Sequence, residues 1–515
     1  MRNVGKIAVL LFVLLLGILV TSLRTPTGAW AQSPWSNPVS ISTKTKLPWF
    51  PDIAVDADGR IHVVYDTRDV PVGKEEVLPG IMYTVYENGE WRTPNDIHLG
   101  KTGNIFRPAI AIDPRGNLHM TALGVRYRRA PVDNAWSAAA WYNHVLDGGT
   151  TYMSDVAVDS RGNLHAVYEK WILLAEPMQM TDDRQIYGLS DIFYRRSSDG
   201  GQTWTAPANL SQTAEIGSHR VQIKIDSHDI IHVTWDEGWD RWSLYDTPRE
   251  GVYIHSTDGG RTWSKAVRFY EPERTNAQMA AASDNRGNVL AIWRPTTIDQ
   301  VYYTWSTDGG SSWSRVQPIP KFYARAYNDT MFDAYDMATD SEGNIHLVAV
   351  GRSRPPAFEG DAVPLGVYHL TWDGMVWSDP EPLAIYEPDF GFPEYPKLTI
   401  SEGNQLHTVW FVRDEQWGGV HYRIYYSHSE SAAPRQTPPP TPTAAPTMTP
   451  TPLPTPLPTA TPLPTVDPGT SGMPAGLYTE NDDVGRLLIA LSPVAVVAFL
   501  LVAIKMGWWR KLFSR

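Results

Sequence analysis

Short runs in which apolar and polar positions alternate, Val252-Tyr-Ile-His255 and Val301-Tyr-Tyr-Thr-Trp305 among them, lead into turns that repeat almost letter for letter. The turns are Ser197-Ser-Asp-Gly-Gly-Gln-Thr-Trp204, Ser256-Thr-Asp-Gly-Gly-Arg-Thr-Trp263 and Ser306-Thr-Asp-Gly-Gly-Ser-Ser-Trp313. Period-two alternation on both sides of a Gly-rich turn predicts a β-hairpin. Within it the Asp accepts main-chain N–H groups, the glycines supply φ > 0, and the Trp leaves to pack between sheets. A second repeat runs from about Pro48 to Arg413: an apolar strand, a turn of the form Asp-x-x-Gly-Asn, and a strand carrying His. Its copies start at Asp56, Asp113, Asp159, Asp226, Asp284, Asp340 and, shifted, Ser401, in steps of 46 to 67 residues. That is one four-stranded sheet per step, the blade of a β-propeller, so seven copies predict an all-β fold of seven blades.

The two repeats interlock. The Ser-x-Asp-Gly-Gly hairpin follows copies three, four and five, and is eroded to Glu87-Asn-Gly-Glu-Trp91 in copy one and Trp372-Asp-Gly-Met-Val-Trp377 in copy six. Copy two, the shortest step, is expected to lack its outer strand. Copy seven stops at Tyr426-Ser-His428 without an outer strand, yet Trp35-Ser-Asn-Pro-Val-Ser-Ile41 matches the outer-strand pattern of Trp204 to Leu210 and Trp377 to Leu383. The N-terminal strand is therefore expected to complete the last blade and close the ring, removing edges that invite aggregation.

Composition agrees with short strands and tight turns: 21 Trp and 24 Tyr against 13 Phe, with 39 Gly and 42 Pro. Net charge is −12 and the central region has no basic run, which argues against a nucleic-acid partner. The absence of Cys excludes disulfides, thiol catalysis and cysteine metal sites. No metal or other cofactor is implied. Arg2 and Lys6 precede an apolar run from Ile7 to Val20, and Ala29-Trp30-Ala31 offers small residues for a signal peptidase, so residues 1–31 read as a signal peptide. Residues 32–433 hold the propeller. Residues 434–480 form a Pro/Thr-rich stalk that favours extended polyproline conformation. Residues 481–515 contain an uncharged apolar run, Leu487 to Ile504, followed by Lys505, Arg510, Lys511 and Arg515, which predicts one transmembrane helix with a cytoplasmic C-terminus. The propeller is expected outside the cytoplasm, at the cell membrane.

Strand parity places both kinds of turn at one end of the ring, and the approaches to the first strands with the exits of the second strands at the other. Unrepeated charge collects at that other end: Asp66, Arg68, Arg107, Arg126, Asp155, Glu169, Arg220, Asp236, Glu237, Arg294, Arg352, Arg354, Glu394, Arg413 and Asp414. Around a central funnel, arginines with carboxylates and tyrosines suit an acidic sugar or another carboxylate ligand. The histidines that recur at one position of successive blades point to a shared packing role rather than a metal site.

The three Ser-x-Asp-Gly-Gly turns resemble the Asp boxes of sialidases and related repeat propellers, over roughly Trp35 to Ser427. Sialidases are typically six-bladed, so six blades is the alternative count. Phe106-Arg107-Pro108 resembles the family's Phe-Arg-Ile-Pro motif, whose arginine binds the sialic acid carboxylate. The resemblance implies two more arginines, for which Arg220 and Arg294 are candidates. It also implies an acid/base aspartate at Asp133, and a tyrosine nucleophile, Tyr335 or Tyr395, activated by a glutamate, Glu237. The functional expectation is a membrane-anchored propeller that binds glycans or other surface ligands, with catalysis left open, and with an exo-sialidase-type glycoside hydrolase acting on acidic sugars and a protein-binding envelope scaffold as alternatives.

Overall fold

The structure is a computed structural model that describes residues 34–437, apart from 44–46, 69–77, 102–105, 125, 149–152, 180–184, 214–215, 239–249, 270–275, 326–334, 358–362, 388–390 and 414–421. The predicted signal peptide, transmembrane run and most of the stalk lie outside the described residues, as does Asp414. Among the described residues no helix is long and apolar enough to cross a membrane.

Seven antiparallel sheets follow one another along the chain, and the first strand of each contacts the first strand of the next around a closed circle. Those inner strands are Leu47–Val55, Ala109–Ile112, Ser154–Val158, Gly217–Ile225, Asn276–Ser283, Tyr335–Thr339 and Phe392–Ser401. They define blades 1 to 7, and the count of seven is settled against six. The closing strand is where the sequence placed it: Val39 pairs with Tyr426 and Ser40 with Tyr425, beside the bonds Ser36 N–His428 O (2.8 Å) and Ile41 N–Ile424 O (2.9 Å). One expectation is corrected. Blade 2 keeps its outer strand, Tyr142–Val145, which pairs with Arg126–Arg129 after a connection containing two single 3₁₀ turns, Val132–Asn134 and Ala138–Ala140. The short step arises from short strands and loops, not from a missing strand.

Both faces of each sheet are covered, because seven apolar clusters fill the seven gaps between consecutive blades. Period-two alternation then sends successive residues to different gaps. In blade 3, Val167 packs with blade 4, while Ala166 and Tyr168 pack with blade 2.

The two repeated turns form one stitch between neighbouring blades. In blade 3, His165 lies between the Asp159 carboxylate (3.3 Å) and the Tyr194 hydroxyl (2.8 Å). Tyr194 in turn donates to the Gly259 carbonyl of the next blade's Asp box (3.4 Å) and meets the Trp263 ring edge-on. The same Asp–His–Tyr order recurs at His62, His119 and His232. At blade 7, Ser401 stands in for the Asp, 2.9 Å from His407. Burial alone would raise the Asp56 carboxyl, but hydrogen bonds from His62 and Arg60 hold it below the ordinary range. Within the box, Asp258 accepts from the Thr262 hydroxyl (2.6 Å) and main-chain N–H (2.9 Å), and these hold it well below the ordinary range. Gly260 has φ +80°, and a Cβ there would collide with the Tyr194 hydroxyl, so the second box glycine is required both by conformation and by its neighbour.

Candidate functional site

Aligning the inner strands on their following turns reveals how the funnel end is built. A residue with left-handed backbone stands six positions before the turn in five blades: Phe50 (φ 46°), Arg107 (43°), Arg220 (56°), Gln278 (61°) and Tyr395 (51°). In blades 1, 4, 5 and 7 the pairing register shifts at that point, as at a β-bulge. Carboxylates from the preceding blade hold several of these bulges. Asp66 accepts Phe106 N–H (2.9 Å), Glu169 accepts Arg220 N–H (2.7 Å), and Asp236 accepts both Gln278 (2.8 Å) and Met279 N–H (2.9 Å). These exit carboxylates, read from sequence as ligand-facing charge, therefore aim the bulge residues.

Two positions further along, the aligned residues are Asp52, Ala109, Asp155, Gln222, Ala280, Asp336 and Lys397. Three of them repeat one interaction. Asp52 accepts Ile110 N–H (2.7 Å), Asp155 accepts Ile223 N–H (3.1 Å), and Asp336 accepts Leu398 N–H (2.8 Å). Lys397 sits among these carboxylates, and Lys224 reaches Asp336 at 2.6 Å. The funnel floor is thus an axial cluster of three aspartates and two lysines. Burial pushes Asp52 up to about 6 despite Lys397. Burial also raises Asp155, whereas at Asp336 the two lysines outweigh burial and hold it low. Burial works against the Lys397 charge, but the Asp52, Asp336 and Asp155 carboxylates outweigh it and keep the ammonium protonated.

Beside this floor lies a shallow, open pocket lined by Met153, Asp155, Arg220, Gln278, Tyr395 and Lys397. Tyr395 is half-buried, with its ring edge-on to Phe50 at 5.2 Å and the Lys397 ammonium 5.3 Å from its centre. Burial raises its phenol more than Lys397 and Arg107 lower it, so it is protonated at neutral pH. The Arg107 guanidinium lies over Phe50, 4.7 Å from the ring centre, and acts electrostatically on Tyr395.

Of the residues inferred from the sialidase resemblance, the structure gathers Arg107, Arg220 and Tyr395 and disperses the others. Asp133 is exposed in the third-to-fourth strand connection of blade 2 and pairs with Arg60 (2.7 Å) of the Asp56 turn, at the end opposite the funnel. Tyr335 is turned into the apolar cluster between blades 5 and 6. Both Glu237 oxygens are engaged inside blade 4, by Trp235 Nε1 (3.0 Å) and by Arg268. Arg294 is wholly buried beside Pro295. A further arginine pair unforeseen as a unit, Arg325 (2.6 Å) and Arg413 (2.9 Å), is neutralised by buried Glu394. Asp52, Asp336 and Lys397 were not foreseen, although the four-residue spacings Asp52 to Asp56, Asp155 to Asp159 and Asp336 to Asp340 carry a signal of the first two.

Residues 127–408 match the family described as BNR repeat-like domain, and the chain belongs to that family. It is an Asp-box β-propeller of seven blades. A Neosartorya fischeri protein described as "Probable oligoxyloglucan-reducing end-specific xyloglucanase" is 32% identical over 123 residues, 23% of this chain; the match spans 12% of that protein's length. Among solved structures, a protein of unknown function from Dyadobacter fermentans aligns over 77% of this chain and 99% of its own at 14% identity (TM-score 0.48). A polysaccharide lyase, an ulvan lyase bound to -[GlcA(1-4)Rha3S]-, aligns over 75% and 95% at 14% identity (TM-score 0.45). A sialidase from Streptococcus pneumoniae aligns over 78% and 71% at 12% identity (TM-score 0.41).

Proposed function

We propose that the funnel binds an anionic saccharide and does not hydrolyse it. The observation that carries this reading is the presentation of Arg107 and Arg220 on equivalent left-handed bulges of blades 2 and 4, while the inner strand of blade 7 brings Tyr395 and Lys397 to the funnel. Arg220 Nη1 pairs with Asp236 (3.2 Å), which fixes the direction of its guanidinium, and a guanidinium fixed in this way suits a planar carboxylate, while the half-buried Tyr395 ring suits the apolar face of a pyranose. Asp133 and Glu237, the acid and the tyrosine activator of the sialidase mechanism, are not part of that group. The xyloglucanase relative, whose description names a glycan, supports a saccharide as the ligand class.

Titration calorimetry on the full chain in detergent tests it, with N-acetylneuraminic acid, sialyllactose, glucuronic acid and a glucuronate-ended trisaccharide as probes. Arg107→Ala and Arg220→Ala are each expected to weaken binding by about ten- to a hundred-fold, the scale of one charge-assisted hydrogen bond. Affinity is expected to rise as pH falls from about 7.5 to about 5.5, because Asp52 protonates at about 6 and leaves the floor one charge more positive, while the sugar carboxylate stays ionised. Binding to no probe would defeat the proposal. Hydrolysis is the second reading, favoured by Tyr395 standing within electrostatic reach of Asp52 and Asp155. Sugar release from a bound probe that Tyr395→Phe abolishes would put hydrolysis in place of binding.

We propose also that the propeller is displayed outside the cytoplasm on a single C-terminal span, a reading supported by the apolar run Leu487 to Ile504 and the basic residues after it. Alkaline carbonate extraction is expected to leave the full chain in the membrane pellet and to release a chain truncated after residue 480. Release of both would remove the anchor.

A further inference from the structure

The middle strands of blade 3 run well beyond those of its neighbour. Leu164–Gln179 has 16 residues and Gln185–Ser197 has 13, against 8 and 7 for the equivalent strands of blade 4, Ile231–Gly238 and Glu250–Ser256. The connection between second and third strands leaves each blade at the funnel end, so the added length stands as a two-stranded arm beside the funnel mouth. Pairing within it is regular from Leu164 to Leu173, and alternation then decides which way each side chain faces. Even-numbered Tyr168 and Lys170 reach Asp147 of blade 2, at 2.9 Å each. Odd-numbered Val167 packs with blade 4, and Glu169 holds the Arg220 N–H. Trp171 is the next residue on that face, about 7 Å beyond Glu169 along the strand.

Trp171 is 43% exposed and Leu173, on the same face, is 76% exposed. Among the described residues this apolar surface is uncovered, on the same strand face as Glu169, which holds the Arg220 main chain. The indole lies against Gly188, where any side chain would collide with its Nε1 and Cε2 atoms, so the glycine lets the ring rest on the arm. We infer that Trp171 is a sugar-stacking subsite for the residue adjoining the acidic sugar on Arg220, and that the ligand is an anionic oligosaccharide rather than a lone acidic sugar. The inference rests on the anionic-saccharide reading above. Its chemistry is that of an apolar pyranose face on an indole ring, continuous with the charged contact at Arg220.

The same full chain and the same four probes test it, comparing each acidic monosaccharide with its oligosaccharide. For whichever acid binds, the wild type is expected to prefer the oligosaccharide. Trp171→Ala is expected to weaken the oligosaccharide about ten-fold while leaving the monosaccharide unchanged. Trp171→Phe should retain most of the preference, Arg220→Ala should weaken both probes, and the melting temperature of Trp171→Ala should match the wild type. Equal affinity for both probes, or a Trp171→Ala variant that moves neither, would overturn the subsite and leave the arginine site standing. Binding to none of the four would instead overturn the reading on which it rests. A wild-type dimer that becomes monomeric in Trp171→Ala, seen by sedimentation velocity, would reassign the arm to self-association and also overturn it.

Discussion

Removing residues 34–43 is expected to abolish the cooperative unfolding transition of the propeller and to drive the chain into aggregates. Trp35 is buried in the gap between blades 6 and 7, and Ile41 in the gap between blades 7 and 1, so this one strand fastens both sides of the last blade. Burying two such side chains stabilises the fold by roughly 3–6 kcal/mol, and the bonds from Ser36 and Ile41 to the last strand add about 1 kcal/mol each. That sum is comparable with the whole stability of an ordinary domain, about 5–15 kcal/mol. The excision also bares Arg423–Glu430 as an unpaired edge, a template for association between chains. Calorimetry and sedimentation report the two consequences. A truncated chain that melts cooperatively as a monomer would show that the circle holds without its clasp.

Replacing Lys397 by alanine is expected to cost about 3–5 kcal/mol at pH 7.5 and distinctly less at pH 5, because it strands buried carboxylates without their counter-charge. The direction with pH follows from Asp52. Burial sets its folded-state value at about 6, above the ordinary 3.8, so stability present while it is protonated is lost as pH rises between those two values. Lys397 is the largest influence opposing that rise at both Asp52 and Asp155, so its removal moves both further up. The loss that comes through Asp52 then falls above about 6, where the wild-type carboxyl is already ionised, and what remains at pH 5 is the loss of Lys397 beside Asp336, which is held low and stays ionised. Denaturant unfolding of wild type and variant at the two pH values measures the difference. Equal losses at both would mean that Lys397 does not oppose the rise of Asp52.

Sequence was most informative where an interaction is local and repeats. Each Asp box closes on itself, through Asp199, Asp258 or Asp308 accepting N–H groups three and four residues on, so a short motif contains the whole turn. Each recurring His finds both of its partners within its own blade, as His165 does with Asp159 and Tyr194, and spacing along the chain carries that pattern too. The outer strand of blade 2 was missed because Tyr142–Val145 buries little, leaving no alternation to read. The funnel was legible only in outline, as a place where charge collects.

The chain's own order of residues determined the blade, the number of blades and the strand that closes them, because each of these rests on turn chemistry and period-two burial that any one repeat expresses by itself. Tertiary structure alone decided which charges meet. Arg107, Arg220 and Tyr395 come from three different blades and share a funnel through left-handed bulges, two of them with a main-chain N–H at or beside the bulge held by a carboxylate of the preceding blade. Asp52, Asp155, Asp336 and Lys397 become one electrostatic unit because four inner strands converge on the axis, while Glu237 is consumed by Arg268 and Trp235 within its own blade. Coulomb interactions and burial act through space, and closing the circle brings together groups separated by hundreds of residues, a proximity that no spacing along the chain encodes.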